Sequence, residues 1–142
     1  MKYVIDASVA LACVLNEPDS AAANALRDDF KRQFHELIAP DLLPAEMAHA
    51  LTKAERRRII RQGEAEVLLA TFLNPSPILH PYGPLLSRAI ELSSRQRVGF
   101  YDCLYVALAE REQCSVVTID QPLVAHFRGL SFTCHHCSST AI

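Results

Sequence analysis

The stretch VGFYDCLYVALAEREQCSVVTID, residues 98–120, contains an apolar helix pattern followed directly by an apolar strand pattern. From Phe100 to Ala109 every residue except Asp102 is apolar or aromatic, which predicts a helix that is buried on most sides. The run Ser115–Ile119 predicts the strand that follows. Such a helix leading into such a strand is typical of an α/β fold with a mostly parallel sheet.

The same alternation of short strand patterns and longer helix patterns extends along the whole chain. Strands are predicted at Tyr3–Ile5, Leu37–Ala39, Pro77–His80, Ser115–Ile119 and Leu130–Thr133. Helices are predicted at Val9–Asn16, Ser20–Phe34, Leu42–Ile60, Glu64–Leu73, Pro84–Arg97, Tyr101–Gln113 and Pro122–His126. This pattern predicts one domain over residues 1–133, with a parallel sheet covered by helices on both faces and a loose tail at residues 134–142.

Composition indicates a globular protein without a global charge signal for nucleic acid. The 142 residues are 50% hydrophobic and carry a net charge of −2, so any contact with nucleic acid must come from a local basic patch. Asp6 interrupts the apolar stretch at the N-terminus, which argues against a signal peptide, and no apolar run approaches the roughly 20 residues that span a membrane. Five cysteines, an odd number, favour a reducing cytoplasm without a disulfide framework.

Two aspartates directly follow predicted strands. Asp6 follows the first strand and Asp120 follows the fourth. Each could simply cap the helix that comes next. The carboxyl ends of parallel strands are also where open α/β sheets bind ligands, so neighbouring strands would bring both carboxylates into one crevice. Both interpretations stay open for each residue taken alone.

Two further acids lie in predicted helices. Glu46 is near the start of the third helix, where a surface glutamate stabilised by the helix dipole is the alternative to a functional role. Asp102 fits that explanation less well, because an ionised carboxylate beside a buried helix is costly unless it is paired, hydrogen-bonded or bound to a metal ion. A capping role after Gly99 is the competing interpretation.

The acids are better explained as a set than singly. Carboxylates that crowd together repel one another and raise their own pKa values. A hard divalent cation relieves that repulsion, and oxygen ligands alone suit Mg²⁺ or Mn²⁺. Such an ion can activate water for in-line hydrolysis of a phosphodiester. The residues that indicate this site are Asp6, Glu46, Asp102 and Asp120.

Four segments also carry a resemblance to a known family. They are Tyr3–Ser8, Pro44–Leu51, Tyr101–Ala109 and Val117–Asp120. In order and spacing they resemble the PIN-domain family, and specifically its VapC-type toxins from toxin–antitoxin pairs. Each segment is a weak signal by itself, whereas the four together extend across nearly the whole chain.

The resemblance implies a three-layer sandwich of helices around a roughly five-stranded parallel sheet. It implies an endoribonuclease that depends on Mg²⁺ or Mn²⁺ and is the toxin of a type II pair. The metal ligands or their supports would be the acids Asp6, Glu46, Asp102 and Asp120. Ser8 and Thr118 match small hydroxyls of the family that hydrogen-bond the carboxylates or a metal-bound water. The expected partners are RNA, a VapB-type antitoxin whose tail occupies the active-site groove, and a second copy of the chain.

The chain departs from the family pattern at two places. His49 stands where many relatives have Asn, three residues after Glu46, and an imidazole there can still hydrogen-bond or can alter the metal geometry. The run Cys134-His135-His136-Cys137 does not belong to the pattern. Its four consecutive ligands are poorly placed for one tetrahedral zinc ion, so we interpret the run as part of the tail.

A basic cluster follows Glu46 in the third helix. Its members are Lys53, Arg56, Arg57, Arg58 and Arg61. Lys53 and Arg57 share a helical stripe with Glu46, so these two and Arg56 are candidates for binding RNA phosphates. A solvated helix end whose cations favour the helix dipole is the alternative. No aromatic pattern for base stacking is visible, so the sequence does not predict which RNA is bound.

Other functions fit the pattern less well. A phosphatase with an aspartate nucleophile needs a second Asp where Ser8 stands, and a phospho-acceptor receiver domain needs a lysine after a late strand. A DNA nuclease of this type needs long insertions, for which the chain has little room. A PIN domain that has lost catalysis and only binds protein or RNA is the main alternative, although all four acids are present.

Overall fold

Five short strands form one parallel sheet in the order β3-β2-β1-β4-β5. The computed structural model describes residues 1–127 and 134–137. The strands are β1 (Lys2–Ile5), β2 (Glu36–Pro40), β3 (Ile78–His80), β4 (Ser115–Thr118) and β5 (Cys134–His136). Helices flank this sheet, which confirms the predicted α/β class.

The helices follow the predicted pattern with somewhat different ends. They are α1 (Ala7–Ala12), α2 (Ser20–Lys31), α3 (Leu43–Arg56), α4 (Glu64–Phe72), α5 (Leu86–Gln96), α6 (Phe100–Glu112) and α7 (Gln121–His126). A 3-10 turn, Gly83–Leu85, precedes α5. Two helices end earlier than predicted because a nearby residue adopts a left-handed conformation, which stops a right-handed helix. These residues are Gln33 (φ 65°) after α2 and Arg58 (φ 60°) after α3.

The strand order reverses at β1, which lies at the centre of the sheet. Tyr3 of β1 is opposite Leu37 of β2 on one side and Ser115 of β4 on the other. The chain therefore builds β2 and β3 on one side of β1 and then returns to place β4 and β5 on the other. Ligands of open α/β sheets bind at such a reversal, at the carboxyl ends of the strands, which here is the edge shared by β1 and β4.

Helix α6 is the buried centre of one side of the fold. It packs against β1, β2 and β4, and its residues Cys103–Ala109 are all buried. The apolar pattern of this segment predicted such burial. Because α6 is fixed against three strands, the side chains at its N-terminal end are held at a constant position relative to the strand ends.

The prediction of a loose tail is wrong for its first residues. Cys134–His136 form β5, with Cys134 opposite Val116 of β4, and Cys137 is buried. An edge strand obtains its backbone hydrogen bonds from its neighbour and does not need an apolar run of its own, so the sequence pattern did not reveal it. The predicted strand Leu130–Thr133 and residues 138–142 lie outside the described residues.

Three cysteines of residues 1–127 carry free thiols. They are Cys13, Cys103 and Cys114. Among the residues that the structure describes, no helix has both the length and the apolar character needed to cross a bilayer.

The turn between α3 and α4 is fastened by one carboxylate. Gly63 adopts a positive φ of 90°, which favours glycine, and ends the turn. Glu55 of α3 accepts hydrogen bonds from the backbone N–H groups of Gly63 and Ala65, both at 2.9 Å. These N–H groups lie at the start of α4, where helix donors have no partner within the helix. Glu55 therefore caps α4 from a neighbouring helix.

Glu55→Ala is expected to lower the free energy of unfolding by about 1 kcal/mol, because both N–H groups lose their acceptor. Urea denaturation followed by circular dichroism measures the change. Glu66→Ala is the matched control, since it removes an exposed carboxylate from the same helix turn without touching the cap. Equal midpoints for the two variants would contradict the capping role.

Candidate active site

The carboxylate of Asp6 is buried at the carboxyl end of β1. The residue is only 5% exposed, and its Oδ1 accepts a hydrogen bond from the backbone N–H of Val9 at 3.1 Å. Asp6 is thus the N-cap of α1, as one interpretation of the sequence held. The capping bond occupies only part of the hydrogen-bonding capacity of the Asp6 carboxylate. Two side-chain hydroxyls also donate to this carboxylate.

Ser8 and Thr118 are the hydroxyl donors to Asp6. Ser8 Oγ donates to Asp6 Oδ1 at 2.6 Å, and Thr118 Oγ1 donates to Asp6 Oδ2. Each hydroxyl also accepts a backbone N–H from the end of β4. Ser8 Oγ accepts from Ile119 at 3.1 Å, and Thr118 Oγ1 accepts from Asp120 at 3.0 Å. The two hydroxyls therefore connect the buried carboxylate on β1 to the chain after β4.

Asp120 begins the next helix from the neighbouring strand end. Its Oδ1 accepts from the backbone N–H of Leu123 at 3.4 Å, so Asp120 is the N-cap of α7. Unlike Asp6, Asp120 is exposed. Since β1 and β4 are neighbours in the sheet, the two strand-end aspartates face the same crevice. The sequence predicted this convergence on the condition that the strands were adjacent.

Glu46 reaches the site from α3 and is held by a tyrosine of α6. The Tyr105 hydroxyl donates to Glu46 Oε1 at 2.6 Å. Tyr105 is 1% exposed, so its ring lies in the core and its hydroxyl has a fixed position. The pKa of Tyr105 is raised above its ordinary range, chiefly by burial and then by the bond to Glu46. Tyr105 therefore stays a neutral donor at neutral pH.

Asp102 lies in the first turn of α6 and is half-buried. Its carboxylate accepts no hydrogen bond and forms no ion pair with any residue of the described ranges. Burial raises its pKa above the ordinary 3.8, and the negative charges of Asp6 and Asp120 raise it further. The sequence singled out Asp102 as the acid that needs a partner, and within the described chain no such partner is found.

The charges acting on the buried acids all have the same sign. Burial is the largest cause that raises the pKa of Asp6, and Asp120 adds to it against the hydrogen bonds from Ser8, Thr118 and Val9. Burial also raises the pKa of Glu46, and the charge of Asp102 adds to it against the bond from Tyr105. The charged residues of the described chain that shift these three pKa values are all acids. Within that part of the chain, the site carries negative charge that no cation offsets.

A model of the PIN domain matches residues 3–125, which include every element that contributes to this site. The chain belongs to the PIN-domain family. It is 34% identical over 132 residues to the ribonuclease VapC3 of Pyrobaculum aerophilum, an alignment that covers 92% of this chain and 98% of that one. This similarity to a named ribonuclease supports the prediction of a nuclease.

Solved structures confirm the fold. The VapBC2 structure from Rickettsia felis matches this PIN domain with a TM-score of 0.70 at 17% identity, covering 96% of this chain and 98% of that one. VapC20 of Mycobacterium tuberculosis matches with a TM-score of 0.65 at 18% identity, covering 87% and 93%. At these identities the likeness concerns the arrangement of helices and strands alone.

The donor set of this PIN domain fits a hydrated Mg²⁺ or Mn²⁺ ion. The available ligands are carboxylate oxygens without a cationic partner, which is the chemistry that hard divalent cations prefer. Within residues 1–127 and 134–137, no three His, Cys, Asp or Glu side chains form a ready-made metal cage. Mg²⁺ does not require one, because it usually keeps several waters and takes one or two carboxylates.

The predicted basic residues lie on the surface at the C-terminal end of α3. Lys53, Arg56 and Arg57 are exposed and form no ion pair in the described part of the chain. Arg56 lines a cleft of about 810 Å³ at the α3–α4 turn together with Arg58 and Arg61, and none of the four acids lines that cleft. Binding of RNA phosphates by these residues stays a prediction.

His49 lies beside the site without joining its hydrogen bonds. Its side chain is exposed, one helical turn after Glu46, and the two residues line the same cleft. Among the described residues, none hydrogen-bonds to the His49 imidazole. An effect of His49 on the metal geometry stays a prediction.

Two residues of the site escaped the sequence analysis. Tyr105 was interpreted only as part of an apolar helix, although it lies three residues after Asp102 and so shares its helix face. Asp41 follows β2 as Asp6 follows β1, and its Oδ1 accepts from the backbone N–H of Tyr82 at 3.1 Å. The strand-end position was the signal that could have identified Asp41.

Thr118→Val is expected to lower the free energy of unfolding by about 2 kcal/mol, because it deprives buried Asp6 of a donor and Asp120 N–H of an acceptor. Urea denaturation measures the loss. Thr118→Ser keeps the hydroxyl and removes only a methyl group, so its loss of unfolding free energy should be less than half of that in Thr118→Val. A serine variant as unstable as the valine variant would assign the effect to packing.

Asp102→Asn is expected to raise the melting temperature of the metal-free protein at pH 7. Because the pKa of Asp102 is raised in the folded protein, ionisation of this residue lowers the free energy of unfolding. This loss of stability is absent at a pH below the ordinary pKa of 3.8 and is complete once the pH has risen through the raised pKa. The gain should therefore shrink as the pH is lowered towards 4. Differential scanning calorimetry at several pH values measures it, with Asp28→Asn, an exposed acid on α2, as control. A gain that does not depend on pH would contradict this account.

Proposed function

We propose that this PIN domain is a metal-dependent endoribonuclease and acts as the toxin of a VapBC-type toxin–antitoxin pair. The observation that supports the proposal most directly is the electrostatics of the acids. Among the residues that the structure describes, each charged neighbour that shifts the pKa of Asp6, Glu46 or Asp102 is another acid. A folded protein has no structural need for such repulsion, which a divalent cation removes on binding.

Asp6, Glu46 and Asp102 would hold the cation, with Asp120 at the rim of the crevice. The bound cation would supply an activated water and stabilise the attacking and leaving oxygens of the phosphodiester. Hydrogen bonds set the positions of the Asp6 and Glu46 carboxylates before RNA arrives. Asp6 is held through both oxygens, whereas Asp102 is not engaged by any described residue and is available to a ligand.

Ser8, Thr118 and Tyr105 act as positioning residues. The two hydroxyls restrain the Asp6 carboxylate, and Tyr105 restrains Glu46 through one oxygen, which leaves Glu46 Oε2 for another ligand. Residues that orient metal ligands commonly affect activity strongly, since a small displacement of a ligand changes the reaction geometry. Hydrolysis by water would then proceed without a covalent intermediate on the protein.

The relatives suggest the partners of this reaction. The Rickettsia felis structure is of VapBC2 bound to a DNA fragment from their promoter, and VapC20 is named as a toxin that cleaves the sarcin–ricin loop. By analogy we propose RNA as the substrate and a VapB-type antitoxin as the inhibitor. Lys53, Arg56 and Arg57 are the proposed contacts for RNA phosphates. A homodimer stays a prediction.

The purified protein, freed of any antitoxin, is expected to cleave single-stranded RNA with Mg²⁺ or Mn²⁺ and to lose that activity in EDTA. Asp6→Asn and Asp102→Asn should each lower the cleavage rate by at least about 100-fold, as expected when a metal ligand is lost. Gel electrophoresis of labelled RNA measures the rates, and circular dichroism checks that each variant is folded. Glu66→Gln, which changes an exposed carboxylate of α4 outside the proposed site, is the matched control.

The outcome also separates catalysis from binding alone. Cleavage that persists in EDTA, or full activity in both variants, would contradict the proposal. RNA binding without cleavage at any concentration of Mg²⁺ or Mn²⁺ would favour the alternative, a PIN domain that acts only as a binding module.

A further inference from the structure

A cleft of about 690 Å³ adjoins the acid site on the side of Glu46. It is assembled from α3, the N-terminal end of α6 and the segments that follow β2 and β3. Its polar and aromatic lining residues are Asp41, Glu46, His49, Tyr82, Phe100 and Tyr101, and three aliphatic residues complete the lining. Because Glu46 belongs both to the acids and to the wall of the cleft, a chain whose phosphate lies at the acids can place its next group here.

Three aromatic residues line this cleft, and two of them are exposed. Tyr101 is 61% exposed and Tyr82 is 44% exposed, although both rings carry a large apolar area. Phe100 packs edge-on against Tyr101 with ring centroids 5.6 Å apart, which supports the Tyr101 ring from below. Unstacked RNA bases commonly bind by stacking on exposed aromatic rings of this kind.

The charges of the cleft select against phosphate and in favour of a neutral group with N–H donors. Asp41 and Glu46 provide two carboxylates, and none of the described residues that line the cleft is Lys or Arg. The imidazole of His49 is the remaining titratable group with a nitrogen in the described lining, and two carboxylates outnumber it. A phosphate group close to Asp41 and Glu46 would be repelled. A base edge with N–H groups, by contrast, would find acceptors.

The Asp41 carboxylate is fixed in a position to read such an edge. Its Oδ1 accepts from the Tyr82 backbone N–H at 3.1 Å, while its own backbone N–H donates to the His80 carbonyl at 2.8 Å. A carboxylate with two accessible oxygens pairs best with two parallel donors. Guanine offers two adjacent N–H donors on its Watson–Crick edge, whereas adenine and cytosine place an acceptor beside their single amino group and uracil offers one donor between two acceptors.

We propose that this cleft is a nucleobase subsite that takes one unpaired base, preferably guanine, next to the phosphate that is cleaved. Tyr101 and Tyr82 provide the stacking surface, and Asp41 accepts the hydrogen bonds of the base edge. The inference deepens the proposed function, on which it rests, because it assigns a determinant of RNA preference to residues that do not touch the reacting phosphate.

The test measures binding of fluorescein-labelled single-stranded RNA by anisotropy, in Mg²⁺ and in an Asp102→Asn background that is expected not to cleave. One RNA contains a single guanine among uracils, a second carries adenine at that position, and a third carries an abasic nucleotide. Tyr101→Ala should weaken binding of the guanine RNA about tenfold and leave the abasic RNA almost unchanged. Tyr101→Phe keeps the ring and should bind like the parent.

Asp41→Asn provides the second measurement. The amide keeps an oxygen for the Tyr82 N–H but replaces an acceptor with a donor, so the preference for guanine over adenine should disappear. Phe34→Ala removes an exposed aromatic ring elsewhere and is the control for a general loss of apolar surface. It should change none of the affinities.

Several outcomes would overturn the subsite. One is that Tyr101→Ala changes the affinity for the guanine RNA and the abasic RNA equally or changes neither affinity. Another is that the protein binds none of the RNAs. A cleft that instead takes an apolar segment of a protein partner would leave RNA affinity the same in all variants.

RNA cleavage by the wild-type protein is measured separately on gels. If the wild-type protein cleaves RNA but the variants bind RNA as the parent does, the subsite is rejected and the nuclease proposal stands. If the variants show the expected binding pattern but the wild-type protein does not cleave RNA, the subsite stands and the nuclease proposal is rejected.

Discussion

The rest of the structure depends on keeping one carboxylate, that of Asp6, buried at the end of the central strand. A buried charge is tolerated only where it is hydrogen-bonded or paired. Here a backbone N–H of α1 and two hydroxyls meet that requirement. One of these hydroxyls is on α1 and the other ends β4, so the hydrogen bonds require β4 to lie beside β1. The reversal of strand order and the position of the acid site are thus two aspects of one constraint.

Helix α6 places the other acids by a different means. Its burial against three strands fixes its axis, and the spacing of Asp102 and Tyr105 along one face then determines where a carboxylate and a phenol meet α3. Glu46 is held because Tyr105 cannot move without disturbing the core. The packing of apolar residues therefore determines the positions of the polar groups in the site. Active sites are generally held in place in this way by the rigid elements that carry them.

The sequence predicted the parts of the site that follow from local rules. Asp6 and Asp120 were placed correctly at strand ends because parallel strands share one carboxyl edge, and Asp102 was singled out because it interrupts an apolar helix. Tyr105 was missed, since a tyrosine in an apolar run does not reveal whether its hydroxyl has a partner. The strand β5 was missed because its pairing comes from β4 and not from its own pattern.

The aromatic cleft could not be predicted, for a physical reason. Asp41, Tyr82 and Tyr101 come from three separate segments, and only the sheet order and the packing of α6 bring them to one surface. Neither periodicity nor spacing along the chain carries that information. The sequence shows that Asp41 follows a strand, but it does not show which residues lie beside Asp41 in the folded protein.

The hydrogen bond from Thr118 to Asp6 joins residues 112 positions apart, and this has a consequence during synthesis on the ribosome. A nascent chain that has not yet reached β4 lacks one donor to Asp6 and the neighbouring strand of β1, and it also lacks the backbone groups that hold Ser8. Contacts of such large separation form late, because closure of the intervening chain must come first. The acid site therefore forms only after β4 has been synthesised, and a product that terminates before β4 carries an incomplete site.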